Sequence, residues 1–251
     1  IYMYINDIHS LVPSITLSIY IYVIYYIFFK HITYMSQGIT SEIISIFEKF
    51  PKTIDGKDAI LEMKENNGKN WKQMEWAGFY FEYWCNQNLK NILEMPYSKK
   101  YGNVTFDAFF KRPWDFKCHA IESGKWAPIN DYEAISNAIS EFGNLGIVLA
   151  ECSVNYDNES LDFKKWHDKE KGKPTPYVKK AIKRKAPSRR RKTGISVKRI
   201  SFIKLDRKLL DNACKSFQEN LRNSNGKSRR RKVKLDLSKI NDNLECVIHF
   251  S

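Results

Sequence analysis

The alternation of apolar and polar residues predicts three helices in the first part of the chain. Apolar residues recur every three or four positions over residues 39–50, 59–65 and 71–89, which is the period of an α-helix. Pro51 closes the first segment, and an Asn-Asn-Gly sequence stops the second. The third segment carries further aromatic residues on its other faces, so we expect it to be a mostly buried helix.

The middle of the chain has the pattern of two short strands, a helix and a buried strand. Residues 104–110 and 114–120 predict an antiparallel hairpin, with Pro113 in the turn because proline cannot donate to a strand ladder. Residues 131–142 have apolar side chains at helical spacing, and residues 146–150 are continuously apolar, as in a strand buried on both faces. Together these elements predict an α/β fold.

The first 34 residues follow a different pattern. Residues 11–29 are an uncharged, largely apolar stretch of 19 residues, which is long enough to cross a bilayer as a helix. An ordinary soluble pattern begins at Met35, where a polar sequence leads into the first amphipathic segment. We therefore expect residues 1–34 to lie outside the functional protein, and we keep a membrane anchor as the alternative.

Charge is distributed unevenly along the chain. The protein has 42 Lys and Arg against 28 Asp and Glu, a formal charge of +14. Residues 164–234 contain 27 of these basic residues and 5 of the acidic ones, which leaves 15 basic and 23 acidic residues elsewhere. A basic block of this size indicates an anionic partner, either a nucleic acid or an anionic membrane surface, unless it is only solvated.

Five cysteines are spread through the chain without a CxxC pair or a zinc-finger spacing. Such a pattern indicates reduced thiols in a reducing compartment rather than a disulfide framework. We therefore expect a cytoplasmic protein.

The candidate chemistry lies in the predicted hairpin, which contains Asp107, Asp115 and Lys117. Side chains alternate along a strand, so Asp115 and Lys117 share one face. With a turn at residues 111–113, Asp107 is expected directly opposite Lys117 and on the face of Asp115. Two carboxylates beside one ammonium suit Mg²⁺, a hard cation that takes oxygen ligands.

The helix expected at residues 71–89 carries two acids, Glu75 and Glu82, seven residues apart and therefore on nearly the same face. A carboxylate on a helix this apolar either reaches solvent or points into a site. The pattern leaves both alternatives open for each acid.

This order of residues resembles the PD-(D/E)xK nuclease superfamily, and type II restriction endonucleases in particular. The likeness covers about residues 70–153 and consists of Asp-x7-Asp-x-Lys on a hairpin, after a helical Glu and before a helix and a buried strand. Asp107 matches the first acid of the family, Asp115 the second and Lys117 the lysine. Glu82 matches the helical Glu, and the short spacing between the two hairpin acids demands a tight turn.

The resemblance implies a fold, an activity and a cofactor. The fold would be a restriction-endonuclease-like core at residues 35–160, a mixed central sheet flanked by helices, with a basic DNA-binding extension at residues 161–251 packed on it. The activity would be Mg²⁺-dependent, site-specific hydrolysis of double-stranded DNA. Asp107, Asp115 and the Phe116 carbonyl would hold the metal, and Lys117 would orient or help to deprotonate the attacking water.

The resemblance also implies a homodimer acting on a palindromic site, a cognate DNA methyltransferase, and no membrane partner unless residues 1–34 are expressed. Dense Lys and Arg can neutralise several phosphates, so DNA binding should weaken steeply with salt. The candidate DNA contacts are Lys185, Arg189, Arg190, Arg191, Lys192, Arg229, Arg230 and Arg231. Residues 197–205 predict a strand and residues 207–221 a helix between these basic runs.

Two alternatives remain open from the sequence. One is a repair or recombination nuclease that recognises DNA structure rather than a base sequence. The other is a nucleic-acid-binding protein without catalysis that uses only the basic third of the chain.

Overall fold

The computed structural model describes residues 39–68, 70–172, 190–217 and 230–250, together with the single residues 179, 183 and 228. The apolar segment expected at residues 1–34 lies outside these residues, as do three candidate DNA contacts, Lys185, Arg189 and Arg229. From Ile43 onward the described residues belong to one compact unit. None of the helices in the described part of the chain is both long enough and apolar enough to cross a membrane.

The fold is a mixed α/β structure. Its α-helices within the described residues are α1 (Ser41–Phe47), α2 (Gly56–Glu65), α3 (Trp76–Leu89), α4 (Tyr132–Phe142), α5 (Asp162–Lys171) and α6 (Arg207–Ala213). Short 3₁₀ helices lie at Ile121–Ser123, Leu237–Lys239 and Asn241–Asn243. The three helices expected in the first part of the chain are present, although α3 begins at Trp76 rather than at residue 71.

A six-stranded mixed sheet forms the centre of the molecule. Its strands are β1 (Thr53–Asp55), β4 (Ala108–Phe110), β5 (Arg112–Ala120), β7 (Asn144–Tyr156), β8 (Lys192–Asp206) and β11 (Leu244–His249). The order is β1-β8-β7-β5-β4, and β11 also pairs with β8. Strands β5 and β7 are parallel, as expected for strands joined through a helix, and the other pairs are antiparallel.

Two smaller sheets complete the structure. Strands β2 (Lys100–Tyr101) and β3 (Val104–Thr105) form a short ribbon before the hairpin. Strands β6 (Trp126–Asp131), β10 (Lys232–Asp236) and β9 (Cys214–Phe217) form a three-stranded antiparallel sheet in that order. The helix expected at residues 207–221 therefore ends at Ala213, and the chain continues as strand β9.

Helices cover the central sheet on both faces. On one face Phe116 of β5 and Phe202 of β8 meet Phe47, which lies at the end of α1, with ring centroids 6.5 and 5.2 Å away. Phe81 of α3 packs against the same Phe116 ring. On the other face the apolar side of α4 joins the core through Ala134, Ile135, Ala138 and Ile139, all buried. Burial of these large apolar side chains stabilises the layered arrangement.

Strands from the last third of the chain belong to the central sheet. Strand β8 pairs with β7 along most of its length and with β1 and β11 on its other side. Strands β8 and β11 from this third of the chain are thus part of the core. Charge alone does not reveal this, because it indicates which residues lie at the surface and not which strands pair.

The hairpin between β4 and β5 is tighter than expected. Phe110 pairs with Arg112, so Lys111 alone forms the turn, with a φ of 59°. The expectation that Pro113 lies in the turn is wrong, because Pro113 lies within β5 opposite Phe109. No donor is needed from the proline, since the carbonyl of the opposite residue, Phe109, accepts from the Glu94 N–H at 3.0 Å.

A buried ion pair fixes the start of β5. The Arg112 guanidinium donates to both carboxylate oxygens of Glu245 in β11 and to Asn144 Oδ1, 2.6 Å away at the start of β7. It also lies over the Trp114 ring, 4.3 Å from the centroid. Three strands are thereby joined at the end of the sheet next to the hairpin.

Candidate active site

Strand β5 presents two of the expected site residues. Asp115 is only 2% exposed, and its Oδ1 lies 2.8 Å from the Lys117 ammonium. The same ammonium donates to the Phe116 carbonyl at 3.0 Å. Asp115 and Lys117 therefore lie on one face of the strand, as the alternation of side chains requires, while Phe116 packs into the opposite face of the sheet.

Asp107 directly precedes β4 and completes the hairpin part of the site. Its backbone N–H donates to the Trp114 carbonyl at 3.0 Å, and its Oδ2 accepts from the Phe116 N–H at 2.6 Å. The expectation that Asp107 lies directly opposite Lys117 is wrong, because the one-residue turn pairs Ala108 with Trp114 and shifts the register. Asp107 nevertheless lies beside the same short segment of β5.

Helix α3 brings one acid to this group. The Glu82 carboxyl is within electrostatic reach of Lys117 and Asp115, and its burial raises its pKa. Glu75 lies at the N-cap position of α3, is mostly exposed, and pairs with Lys192 at 2.7 Å. Of the two acids left open by the sequence, the structure therefore brings Glu82 to the hairpin residues and turns Glu75 to a separate ion pair.

The electrostatics of the four groups are dominated by burial and by an excess of acids. Burial raises the pKa of Asp107 well above its ordinary value, and the charges of Asp115 and Glu82 raise it further, against the opposing effects of Lys117 and the Phe116 N–H. Burial alone lowers the pKa of Lys117, but the three acids outweigh it and raise that pKa overall. One cation thus faces three acids, and the site favours a further positive charge.

The oxygen atoms of the site fit a hard divalent cation. Asp115 Oδ2 is buried and has no hydrogen-bond partner among the described residues, and such an orphaned carboxylate oxygen is costly unless something binds it. The charges of Asp107 and Asp115 act on each other, and the Phe116 carbonyl accepts from the ammonium that pairs with Asp115. Mg²⁺ needs few protein ligands because it retains several waters.

No set of three or more His, Cys, Asp or Glu side chains within the described ranges has the arrangement of a metal site. The expected ligands include only two carboxylates, with a backbone carbonyl as the third. Comparisons with protein-family models, curated proteins and solved structures gave no match. The chemistry open to the site follows from its own donors and charges, and the excess of acids over bases suits the binding of a cation.

Asn130 is a site residue that the sequence interpretation missed. Its Nδ2 donates to Asp115 Oδ1 at 3.3 Å, and its Oδ1 accepts from the Asp131 N–H at 2.9 Å. In the sequence this pair is the possible cap of the following helix, and Asp131 does occupy that position, but without a side-chain cap bond. The available signal was an asparagine at the end of a strand that follows the hairpin.

The candidate DNA contacts that the structure describes fall into two groups. Arg190 is exposed, Arg191 is mostly buried near Asp168, and Lys192 pairs with Glu75. Lys192 is the first residue of β8, and Arg190 and Arg191 directly precede it.

The second group precedes β10. The Arg230 guanidinium lies 3.7 Å from Asp131 Oδ2, and that of Arg231 lies over the Tyr132 ring at 4.1 Å while donating to the Ser216 hydroxyl. Because Asp131 follows Asn130, this second group is linked to the acids of the site through two adjacent residues.

Proposed function

We propose that this chain is a site-specific, Mg²⁺-dependent endonuclease of the restriction type that hydrolyses double-stranded DNA. The observation that carries the proposal is the orphaned Asp115 Oδ2, buried beside Asp107 and Lys117 in a cluster with more acids than bases. Costly buried arrangements of this kind cluster at catalytic sites, which supports an enzyme over a binding protein without catalysis.

The fold agrees with the proposal. A mixed sheet flanked by helices, with one acid on a helix and the others on the following hairpin, is the order of elements that the resemblance to PD-(D/E)xK nucleases implies. A restriction-endonuclease-like core is therefore part of the proposal, and so are the homodimer and the cognate DNA methyltransferase.

The residues would divide the chemistry between them. Asp107, Asp115 and the Phe116 carbonyl would hold Mg²⁺, which supplies an acidified water and charge neutralisation at the phosphate. Lys117 has a raised pKa, so it is protonated at neutral pH. In that state it donates hydrogen bonds and stabilises charge on the phosphate, which favours a role in orienting the water over one in removing its proton. Glu82 would help to keep that ammonium charged.

Plasmid cleavage in Mg²⁺ tests the proposal. Wild type should produce discrete fragments, and Asp115→Ala and Lys117→Ala should produce none. A matched pair on helix α3 adds a control, because Glu82→Gln should reduce cleavage strongly whereas Glu75→Gln should not. Absence of cleavage by wild type in Mg²⁺, or full cleavage by Asp115→Ala, would contradict the proposal. Nicking that depends on DNA structure instead would favour the repair or recombination class.

A further inference from the structure

The three-stranded sheet β6-β10-β9 has one face in the core and one face turned away from it. Ala127 and Ile129 of β6 and Val233 and Leu235 of β10 are buried in the apolar core that also includes α4 and α6. Because side chains alternate along a strand, the intervening residues point to the opposite side. We call this opposite side the lysine face.

The lysine face carries three lysines and two aromatic rings. Its residues are Lys215 and Phe217 of β9, Lys232 and Lys234 of β10, and Trp126 of β6. The Lys215 ammonium lies 3.6 Å from the centroid of the Trp126 ring, and that of Lys234 lies 5.0 Å from the centroid of Phe217. These contacts hold the ammonium groups in place, so binding an anion orders fewer side-chain torsions.

Two of these lysines lie directly opposite each other. Lys234 pairs with Lys215 across the β10-β9 ladder. Like charges at directly opposite positions destabilise a sheet, and an anion bound between them removes that cost. The arrangement therefore points to an anionic partner on this face.

The acids of the same sheet do not neutralise the lysine face. Its described strands contain Asp131 and Asp236, which are 3% and 2% exposed. Asp131 lies opposite Lys232 in the β6-β10 ladder and 3.7 Å from the Arg230 guanidinium, and Asp236 pairs with Lys125 at 2.9 Å and with Ser238. Each acid is thus buried and already engaged, and the exposed charge of the face is positive.

The lysine face is continuous with the candidate active site. A β-bulge at Ile129 and Asn130 interrupts the pairing of β6 with β10 beyond Pro128, and Asn130 stays on the more exposed side of the strand, like Trp126 and Pro128. Its amide donates to Asp115 Oδ1. A polyanion lying along the face therefore reaches the acids of the site at the end of the same strand.

We infer that the lysine face binds the phosphate backbone of double-stranded DNA and leads it to Asp115; the inference rests on the proposed nuclease function. A duplex fits better than a single strand, because both aromatic rings are covered by ammonium groups and so do not offer the open faces on which unpaired bases stack.

Binding of a labelled DNA duplex without divalent cations, measured by fluorescence anisotropy over a range of salt concentrations, tests the inference. The variant Lys215→Ala/Lys232→Ala/Lys234→Ala should bind at least about tenfold more weakly, and its slope of log K against log salt should be shallower by about 2–3. The matched control Lys49→Ala/Lys90→Ala/Lys198→Ala removes the same charge from exposed lysines on other elements and should change both quantities much less.

The outcomes separate this inference from the proposed function. If wild type cuts plasmid but the lysine-face variant binds the duplex like the control, the inference about the lysine face is wrong and the proposed nuclease function is unaffected. The lysine face is also overturned if the variant loses affinity only for a single-stranded oligonucleotide. If wild type does not cut but the variant loses duplex affinity, the lysine face is supported while the nuclease fails. Unchanged melting of both variants shows that the fold is intact.

Discussion

Replacing Lys117 by Met removes the one cation from a cluster of three acids. The methionine keeps the length of the apolar part of the side chain, so the packing changes little. The charge changes greatly, because the ammonium lies 2.8 Å from Asp115 Oδ1 and also interacts with Asp107 and Glu82. In the metal-free protein the variant leaves three buried or half-buried carboxyls without a counter-charge.

The expected loss of stability is about 3 kcal/mol at neutral pH. Removing one partner of a buried ion pair costs about 3–5 kcal/mol. Lys117 keeps 21% of its side-chain exposure, so water screens part of the interaction and the lower end of the range applies. For a protein of this size that loss lowers Tm by about 6–12 °C.

The sign of the pH dependence follows from the pKa directions. Lys117 has a raised pKa, so its contribution is complete below the ordinary lysine value of 10.5 and is lost above the raised value. Lys117 also lowers the pKa of Asp107 and of Glu82 against the burial that raises both. Without Lys117 the pKa values of Asp107 and Glu82 rise further. The variant therefore loses stability more steeply than wild type as the pH increases above the ordinary pKa values of carboxyl groups. The difference from wild type should therefore shrink at acid pH.

Urea and thermal unfolding in a chelator measure this difference. The matched control is Lys192→Met, which breaks an ion pair with the mostly exposed Glu75 and should cost about 0–1 kcal/mol. Added Mg²⁺ should stabilise Lys117→Met more than wild type, while plasmid cleavage stays absent. Equal Tm values for Lys117→Met and wild type at neutral pH would refute the assignment of Lys117 as the compensating cation.

Three further predictions concern other residues of the site and its support. Asp107→Asn should abolish cleavage yet stabilise the metal-free protein at neutral pH, because the raised pKa of Asp107 makes wild type lose stability as pH rises above 3.8; urea unfolding at several pH values checks this. Asn130→Ala should slow cleavage by about 10–100-fold with little change in duplex affinity, because it acts through Asp115. Glu245→Gln should cost about 3–5 kcal/mol in urea unfolding, since it leaves the buried Arg112 charge uncompensated.

Local sequence patterns gave correct predictions for elements whose buried residues follow from the spacing of their own apolar side chains. The apolar spacing of α4 placed its four core residues, and Gly143, with a φ of 78°, ends that helix through a conformation that glycine adopts readily. The continuous apolar run at residues 146–150 is buried within β7, between β5 and β8. In these cases the sequence period and the burial pattern have the same physical cause.

Predictions failed where the partner of a segment is distant in the chain. Residues 214–217 continue an apparent helical pattern, but Cys214 pairs with Leu235 in β10 and becomes part of a strand. Pro113 can lie in the strand because the Phe109 carbonyl opposite it accepts from the Glu94 N–H, and Glu94 is distant from this hairpin in the sequence. No window of neighbouring residues contains these partners, and strand preference depends strongly on them.

The same distinction between local and distant partners applies to the residues of the candidate site. Asp115 and Lys117 were predictable as neighbours because they alternate on one strand. The contact of Asn130 with Asp115 joins two strands of different sheets, so no periodicity reveals it.

The positive charge of the lysine face complements the excess of acids in the candidate active site. A cluster of three acids and one lysine would repel the phosphates of DNA, so the proposed nuclease needs cations outside the cluster to hold the backbone nearby. Lys232 and Lys234 lie on β10, the neighbour of β6, and Lys215 lies on β9 beyond it. Because Asn130 near the end of β6 contacts Asp115, these lysines would supply that attraction without entering the cluster. A divalent ion bound at Asp115 Oδ2 would then cancel the local repulsion. In the proposed nuclease, the same burial that raises the pKa of Asp107 would make the attack on a phosphate dependent on that ion.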